Sequence, residues 1–435
     1  MNKIDFNVSA PVVAEYDVVV CGGGPAGFIA AIAAARRGVR VALIEQYGFL
    51  GGTATAGFVS PISRFNFGGK RVIGGIPWDF VERLKALGAA IEENPPGNIS
   101  YVPEKYKLVA QRMVLESGVD LYLHTYLIGC ACENGHISHV ILHTKKGAQA
   151  IAAKYFVDCT GDADLAFFAG VPMQGKNPSG KLQPSSLCFL IGGIDTKKLP
   201  LCHHDLDTEN LHDLALKAEL NKLSESGVDV PLFGGPWYCS IVKDGYMIVN
   251  MSRTEADMTD NIEATRAECV LREDVNKLVD ILKKYVPGYE NVFLLATATQ
   301  VGVRETRRIL GAHTLTGEEY LEGVKFDDSI SRGCHPIDIH HGKDTGQRCS
   351  FLKSAPYIPY RTLYSPDFDN ILVAGRCFSS DEIASASVRV QASVMGLGQA
   401  AGVGAAMCCE NSCTVKELNT DALRAELIKL GAVID

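Results

Sequence analysis

The 435-residue sequence has no basic tract long enough to neutralise a row of phosphates, and its formal net charge is −8. A nucleic-acid scaffold is therefore excluded, because such binding rests on clustered Lys and Arg. Long apolar runs are lacking too. Each is broken by Gly, Arg or Glu within about fifteen residues, short of the roughly 20 needed to span a bilayer. The N-terminus, MNKIDFNVSAPVVAEYDVVV, has no basic stretch followed by an apolar one, so no secretory signal is expected. Cysteine is not scarce, at 14 residues, but paired C-x-x-C spacing is missing. Cys130 and Cys132 form a lone C-x-C, and Cys408, Cys409 and Cys413 cluster near the end; neither has zinc or iron–sulfur spacing. Cys21, Cys159 and Cys188 fall in apolar strands, so buried reduced thiols in a cytoplasmic protein are expected. With 47% hydrophobic and 21% charged residues the composition is that of an ordinary soluble protein, and the length suggests roughly two or three domains.

What is present begins with YDVVVCGGGPAGFIAAIAAARRGVRVALIEQ, residues 16–46. Asp17–Cys21 is a β-branched run that predicts a strand buried on both faces. Gly22, Gly24 and Gly27 follow in G-x-G-x-x-G order, then an Ala-rich helix from about Pro25 to Arg37, ended by Gly38. A second strand, Val39–Ile44, leads into Glu45. Gly22 permits the tight turn, Gly24 lets the backbone approach a pyrophosphate, and Gly27 lets the helix pack closely on the strand. The helix N-terminus offers free N–H groups and partial positive charge to the diphosphate. Glu45 falls where an acid accepts from ribose hydroxyls, and its charge disfavours a 2′-phosphate, hence NADP.

GFLGGTATAG (48–57) adds a second Gly pair with Thr53 and Thr55. A glycine-rich loop so soon after the first βαβ unit suits a longer dinucleotide, whose ribityl chain runs past the sheet edge. KYFVDCTGDADLAFFAG (154–170) reads as a strand ending in Thr160–Gly161–Asp162. FDNILVAGRCFSS (368–380) reads as a buried strand ending in Gly375, followed by a small-residue helix over 385–407. With R-E-x-R-R-I-x-G, P-I-D-x-H, I-P-Y-R-x-L and S-x-R-x-Q-x-x-x-M-x-x-G-Q-A-A-G also in order, the chain from Tyr16 to Met407 resembles the FAD-dependent oxidoreductases of the glutathione-reductase-like flavin fold.

That resemblance implies an α/β fold: a discontinuous Rossmann-like FAD-binding domain (15–190 and 346–410, with a small insertion near 61–105) and an inserted α+β cap, or substrate, domain (191–345). A C-terminal helical tail (411–435) would follow. It implies noncovalent FAD. Gly22, Gly24, Pro25, Ala26 and Gly27 would meet the diphosphate, and Glu45 with Gln46 the adenosine ribose. Gly51, Gly52, Thr53 and Thr55 would meet the diphosphate–ribityl region, and Leu127, in the strand DLYLHTYLIG, the adenine. Gly375 and Arg376 would sit by the ribityl chain and pyrophosphate, Thr160, Gly161 and Asp162 would also bind the cofactor, and the last helix, which Gln391 opens, would point at the flavin pyrimidine edge. No second G-x-G-x-x-G opens another strand–helix unit, so electrons would come from a substrate or a protein redox partner rather than a dedicated NAD(P)H domain.

Candidate substrate residues lie in the inserted part and just beyond it. Arg304 and Arg308, in RETRRILG, fall on one face if the segment is helical. Arg304 would hold a substrate carboxylate or the flavin C2 carbonyl region; pairing of these arginines with acids such as Glu305 is the plain alternative. Arg361, in IPYR, is a substrate clamp or a domain-closing ion pair. SRGCHPIDIHH (331–341) carries three histidines. Asp338 and His340 alternate and so share one face of an extended chain, which supplies two ligands where a metal needs three or four. The expectation is that His340, oriented by Asp338, moves the proton that accompanies hydride transfer between a small organic substrate and flavin N5, with His335 second. The alternative is a flavin-carrying electron-transfer subunit with an exposed flavin and no closed pocket.

Overall fold

A ten-residue strand, β1 (Val12–Cys21), opens the fold in the computed structural model, which describes residues 8–93, 97–174, 182–198 and 215–435. Its last four residues, Val18–Cys21, run with parallel neighbours on both sides, and Val18, Val19 and Val20 are fully buried. The chain turns at Gly22 (φ 95°) into α1 (Pro25–Ala35), with Pro25 at the first helical position, where its missing N–H costs nothing. It then enters β2 (Val41–Ile44). A Cβ on Gly27 would lie 1.7 Å from the Gly22 carbonyl oxygen, so helix and turn touch backbone to backbone.

The run expected as one strand, DLYLHTYLIG, is two. β3 (Asp120–Tyr122) pairs parallel with β2, and the chain kinks at His124 (φ 53°) before β4 (Tyr126–Glu133). β4 pairs antiparallel with β5 (His136–Thr144), which returns to the long β6 (Gly147–Asp158) beside β1. Alternation over residues 120–129 is shared by both strands, so periodicity alone does not reveal the break.

The inserted part builds its own four-stranded antiparallel sheet. β7 (Phe189–Gly192) pairs with β9 (Tyr246–Ser252) and with β10 (Phe293–Thr297), while β8 (Phe233–Ser240) pairs with the other side of β9. One long helix, α2 (Asn261–Tyr285), capped by the Asp260 carboxylate, buries Leu271, Val275, Leu278 and Leu282 against it. The expected helical segment around 210–227 is seen from Ala215 on; residues 210–214 lie outside the described residues. This second core runs from Leu187 to Val301. Leu315, Ile330 and Ile337 instead pack in the core that holds the first helix, so packing changes before residue 345. RETRRILG (304–311) is not helical: it lies in an extended segment bridged just before it, at Gly302, to Ser186 and within it, at Ile309, to Met173.

The chain then forms a short hairpin, β11 (Ile337–His340) with β12 (Gln347–Ser350), and adds β13 (Ile371–Val373) in parallel beside β6. The main sheet thus has seven strands, five of them parallel in the order β3-β2-β1-β6-β13. The helix expected over 385–407 is two, α3 (Glu382–Val388) and α4 (Gln391–Asn411). By length and composition α4 could cross a membrane, contrary to the reading that every apolar run is too short. Its glycines interrupt hydropathy without interrupting the helix, and 89% of its apolar window is buried. The reason for those glycines is contact: a Cβ on Gly398 or Gly402 would lie 2.1 Å from the Ala26 or Ala30 carbonyl of α1. The small residues that let two helices meet so closely fit a core helix of this fold.

Candidate active site

A cavity of about 690 Å³ is lined by residues of both the main sheet's end and the inserted sheet. Two helices open onto it. Gly24 and Val390, the N-caps of α1 and α4, both line it, and neither helix has a capping side chain or an acid in its first turn. Their first N–H groups are therefore uncompensated by side chains, and each end carries partial positive charge. Between them the wall is Gly22, Pro25, Ala26, Gly52, Thr53, Thr160, Gly161, Gly375 and Gln391. Glu45 and Gln46 lie at one end with Leu127, Thr125 and Tyr126. The Glu45 carboxylate accepts from the N–H of Gly23 and of Tyr47, both at 2.8 Å. Burial pushes its pKa up to about 6, against those two backbone donors. Arg376 lines the wall with its charge already met: Nη2 lies 2.8 Å from Asp162 Oδ1, and Nη1 donates to Thr306 at 3.0 Å.

Three residues expected at the cofactor are not on the cavity wall. Gly27 sits beneath it, against Gly22. Thr55 is fully buried and donates to the Leu50 carbonyl at 2.8 Å, and Gly51 (φ 114°) packs on that threonine. These two shape the loop 51–57 from behind, which spacing alone does not distinguish from touching a ligand.

The other end of the cavity carries the candidate chemistry. Arg304, Arg389, His335, Asp338, His340 and Gln347 line it, with Trp237 and Asn250 from the cap sheet. Arg304 is buried, and its Nη1 donates to the Pro184 carbonyl at 2.7 Å and to Ser186 Oγ at 2.8 Å. Its neighbours do pair with acids: Arg307 with Asp164 at 2.5 Å, and Arg308 with Glu305. Among the described residues Arg304 meets no carboxylate within salt-bridge distance. Burial first, then the charges of Arg389 and Arg253, lower its pKa to about 9, and it remains a cation at neutral pH. Arg361 lies elsewhere. Its guanidinium forms a two-pronged pair with Asp328 at 3.0 and 3.2 Å, away from the cavity, so it is not positioned as a substrate clamp.

His340 and Asp338 meet on β11, Nε2 to Oδ2 at 2.8 Å. The other ring nitrogen, Nδ1, lies 2.9 Å from Nη2 of Arg253. A guanidinium only donates, so Nδ1 accepts and Nε2 carries the proton toward Asp338. Both nitrogens of the residue expected to be the acid/base are thus committed. Burial lowers the His340 pKa to about 3, with Arg304 and Arg253 acting in the same direction and Asp338 opposing. Asp338 also accepts from Gln347 Nε2 at 2.5 Å, and Arg389 Nη2 stands 3.5 Å away. Burial opposes its ionisation, but the His340 contact and the Arg389 charge hold it well below the usual carboxylate range.

His335 has the complementary arrangement. Its Nδ1 is 2.7 Å from the Pro336 carbonyl, which can only accept, so Nδ1 carries the proton. In the neutral ring Nε2 then keeps its lone pair, and no hydrogen bond reaches it among the described residues. Burial lowers the His335 pKa to about 4, opposed by the charge of Asp338.

Sequence reasoning missed Arg389, Arg253, Asn250, Trp237 and Gln347. Arg389 had a signal, lying inside the quoted S-x-R-x-Q motif. Arg253 had none, since its role depends on the cap folding back over β11.

Residues 17–427 match the family of FAD dependent oxidoreductases. The chain belongs to that family. The cavity fits FAD on its own terms: two helix N-termini without side-chain caps, a Gly-lined turn and a buried acid at one end suit a dinucleotide diphosphate and ribose. Curated relatives match locally. Dihydrolipoyl dehydrogenase of Trypanosoma brucei brucei is 56% identical over 48 residues, 11% of this chain and 10% of that protein. Leghemoglobin reductase of Glycine max is 59% identical over 39 residues, 9% and 8% of the two chains. The chain thus spans about a tenth of the length of those relatives. Among solved structures, a geranylgeranyl bacteriochlorophyll reductase-like protein of Thermoplasma acidophilum is similar at 13% identity and TM-score 0.46, over 96% of this chain and 91% of that one. The myxobacterial chondrochloren halogenase CndH is similar at 15% identity and TM-score 0.48, over 95% and 78%.

Proposed function

We propose that this flavoprotein oxidises or reduces a small organic anion, with Arg304 binding its carboxylate and His335 moving the proton. The observation that carries the reading is the state of Arg304: a buried cation on the cavity wall whose hydrogen-bond partners are all neutral, beside two arginines each paired with an acid. A buried charge is tolerated when a partner meets it, and a carboxylate in the cavity would supply that partner bidentately. FAD, when bound, supplies the two-electron acceptor or donor for hydride. His335 offers the Nε2 lone pair to the proton leaving the substrate, while Asp338 stabilises the imidazolium that results. Trp237 and Asn250, from the inserted sheet, line this end of the cavity beside Arg304. A walled cavity of this kind supports an enzyme with its own substrate over an electron-transfer subunit. The glutathione-reductase-like affiliation is supported by the motif set and by the parallel sheet that carries the glycine turn.

Anaerobic rapid mixing of the holoprotein with small carboxylic acids and their amides tests the reading. Acids should bleach the flavin where the matched amides do not. Equal reaction of acid and amide would remove Arg304 from substrate binding.

A further inference from the structure

We propose that Arg253, a cap residue outside the cavity wall, is a positioning residue that locks His340 as the neutral Nε2–H tautomer, so that no imidazolium at His340 cancels the charge of Asp338 beside His335. The inference rests on the reading of this cavity end as the reaction site.

Arg253 directly follows β9, and its guanidinium crosses from the cap into the turn of the β11–β12 hairpin. There Nη1 donates to three carbonyls, those of His341, Asp344 and Gly346, at 3.0, 3.2 and 2.9 Å. Nη2 is left for His340 Nδ1. Lys217, also from the cap, donates to the neighbouring Thr345 carbonyl, so two cap cations grip one turn. Gly234, on the adjacent strand, makes room. A Cβ there would lie 1.7 Å from Nη2 of Arg253 and 2.2 Å from its Cζ.

The consequence is electrostatic. A proton on Nδ1 would face the guanidinium directly, so His340 stays neutral and donates from Nε2. The groups around the ring are Asp338 on its own strand, Arg253 from the cap, and Arg304 from the extended 302–311 segment. Glu255, Lys343 and Glu382 line a second cavity, about 280 Å³, on which His340 also borders. With His340 neutral, the negative charge of Asp338 is not cancelled by an imidazolium and remains available to His335 as that ring takes up a proton. Cap seating is thereby coupled to the proton affinity of the cavity base.

Nitrogen-15 NMR of histidine-labelled holoprotein tests this without any substrate, with H340Q assigning the resonance. In the wild type His340 should be the neutral Nε2–H form at pH 7. R253M should release the ring, raising its protonation midpoint by about one pH unit or more and populating the other tautomer. G234A should do the same with Arg253 still present, because its methyl group would occupy the place of Nη2 and push the guanidinium off the ring. Flavin colour confirms folding, and G234A carries the test if R253M does not fold. The acid limb of flavin reduction should also move to lower pH in both variants. A wild-type Nδ1–H or imidazolium form at pH 7 overturns the proposal, as does a His340 signal unchanged in either folded variant. Because the readout is the ring itself, failure of the anion reading would leave this result intact, and the converse holds.

Discussion

Arg304 donates from Nη1 to Ser186 Oγ at 2.8 Å, which fixes a buried cation at the substrate end of the cavity without neutralising it. Removing that cation should weaken an anionic substrate more than it disturbs the fold. R304M should raise KM by roughly 10- to 100-fold, the range expected for a lost charge-assisted hydrogen bond, while the protein stays yellow. R304K should recover part of the loss, since it restores charge but not the planar fork. Steady-state and anaerobic kinetics measure both, and an unchanged KM in R304M would rule out the contact.

The two histidines separate by their free lone pairs. H335Q should slow flavin reduction by about 10²- to 10⁴-fold, the usual contribution of a positioned base, with FAD still bound. H340Q should cost less, because the His340 lone pair is already occupied by Arg253. Rapid-mixing reduction of the two variants decides it, and a larger defect in H340Q would reverse the assignment.

The cofactor half of this cavity was legible in the sequence because glycine spacing encodes backbone approach directly. Gly22 takes a positive φ and Gly24 lines the wall, as the G-x-G-x-x-G order implied. The substrate half was legible only as residue types. Asp338 and His340 share a face because alternation is a property of the strand itself, whereas the direction of each hydrogen bond depends on Arg253, 87 positions away in the chain. Arg304 and Arg308 misled for a similar reason: their spacing suits a helix, but the segment is pulled out straight by bridges to Ser186 and Met173. Long-range pairing overrode a local pattern.

Gly27→Ala tests the nucleotide turn. Its methyl group would meet the Gly22 carbonyl, a backbone atom that cannot move aside, so purified protein should lose most of its FAD. Gly38→Ala is the control. No atom lies within 4 Å of its Cβ, and only the φ of 89° is strained, for about 1 kcal/mol of stability with flavin content retained. Visible absorbance per protein measures both. Full flavin in G27A would mean that the turn relaxes more than its packing allows.

Acid should destabilise the protein before its carboxylates titrate normally. His335 and His340 are held neutral by burial, with pKa values lowered from 6.5 to about 4 and about 3. The unfolded chain binds protons at both rings as pH falls through about 6.5, and the folded chain does not, so stability declines over that interval and levels off only below the folded values. Glu45 and Asp164 act in the opposite direction, since burial raises both to about 6 and lets the fold take up protons there before the unfolded chain does. The two rings part from their unfolded behaviour already at about pH 6.5, above the carboxyls, and their shifts are larger, so Tm should fall between pH 7 and pH 5. The H335Q/H340Q double variant should show a flatter profile, because neither glutamine titrates. A wild-type Tm that is level or rising across that range would mean that these rings are charged in the fold.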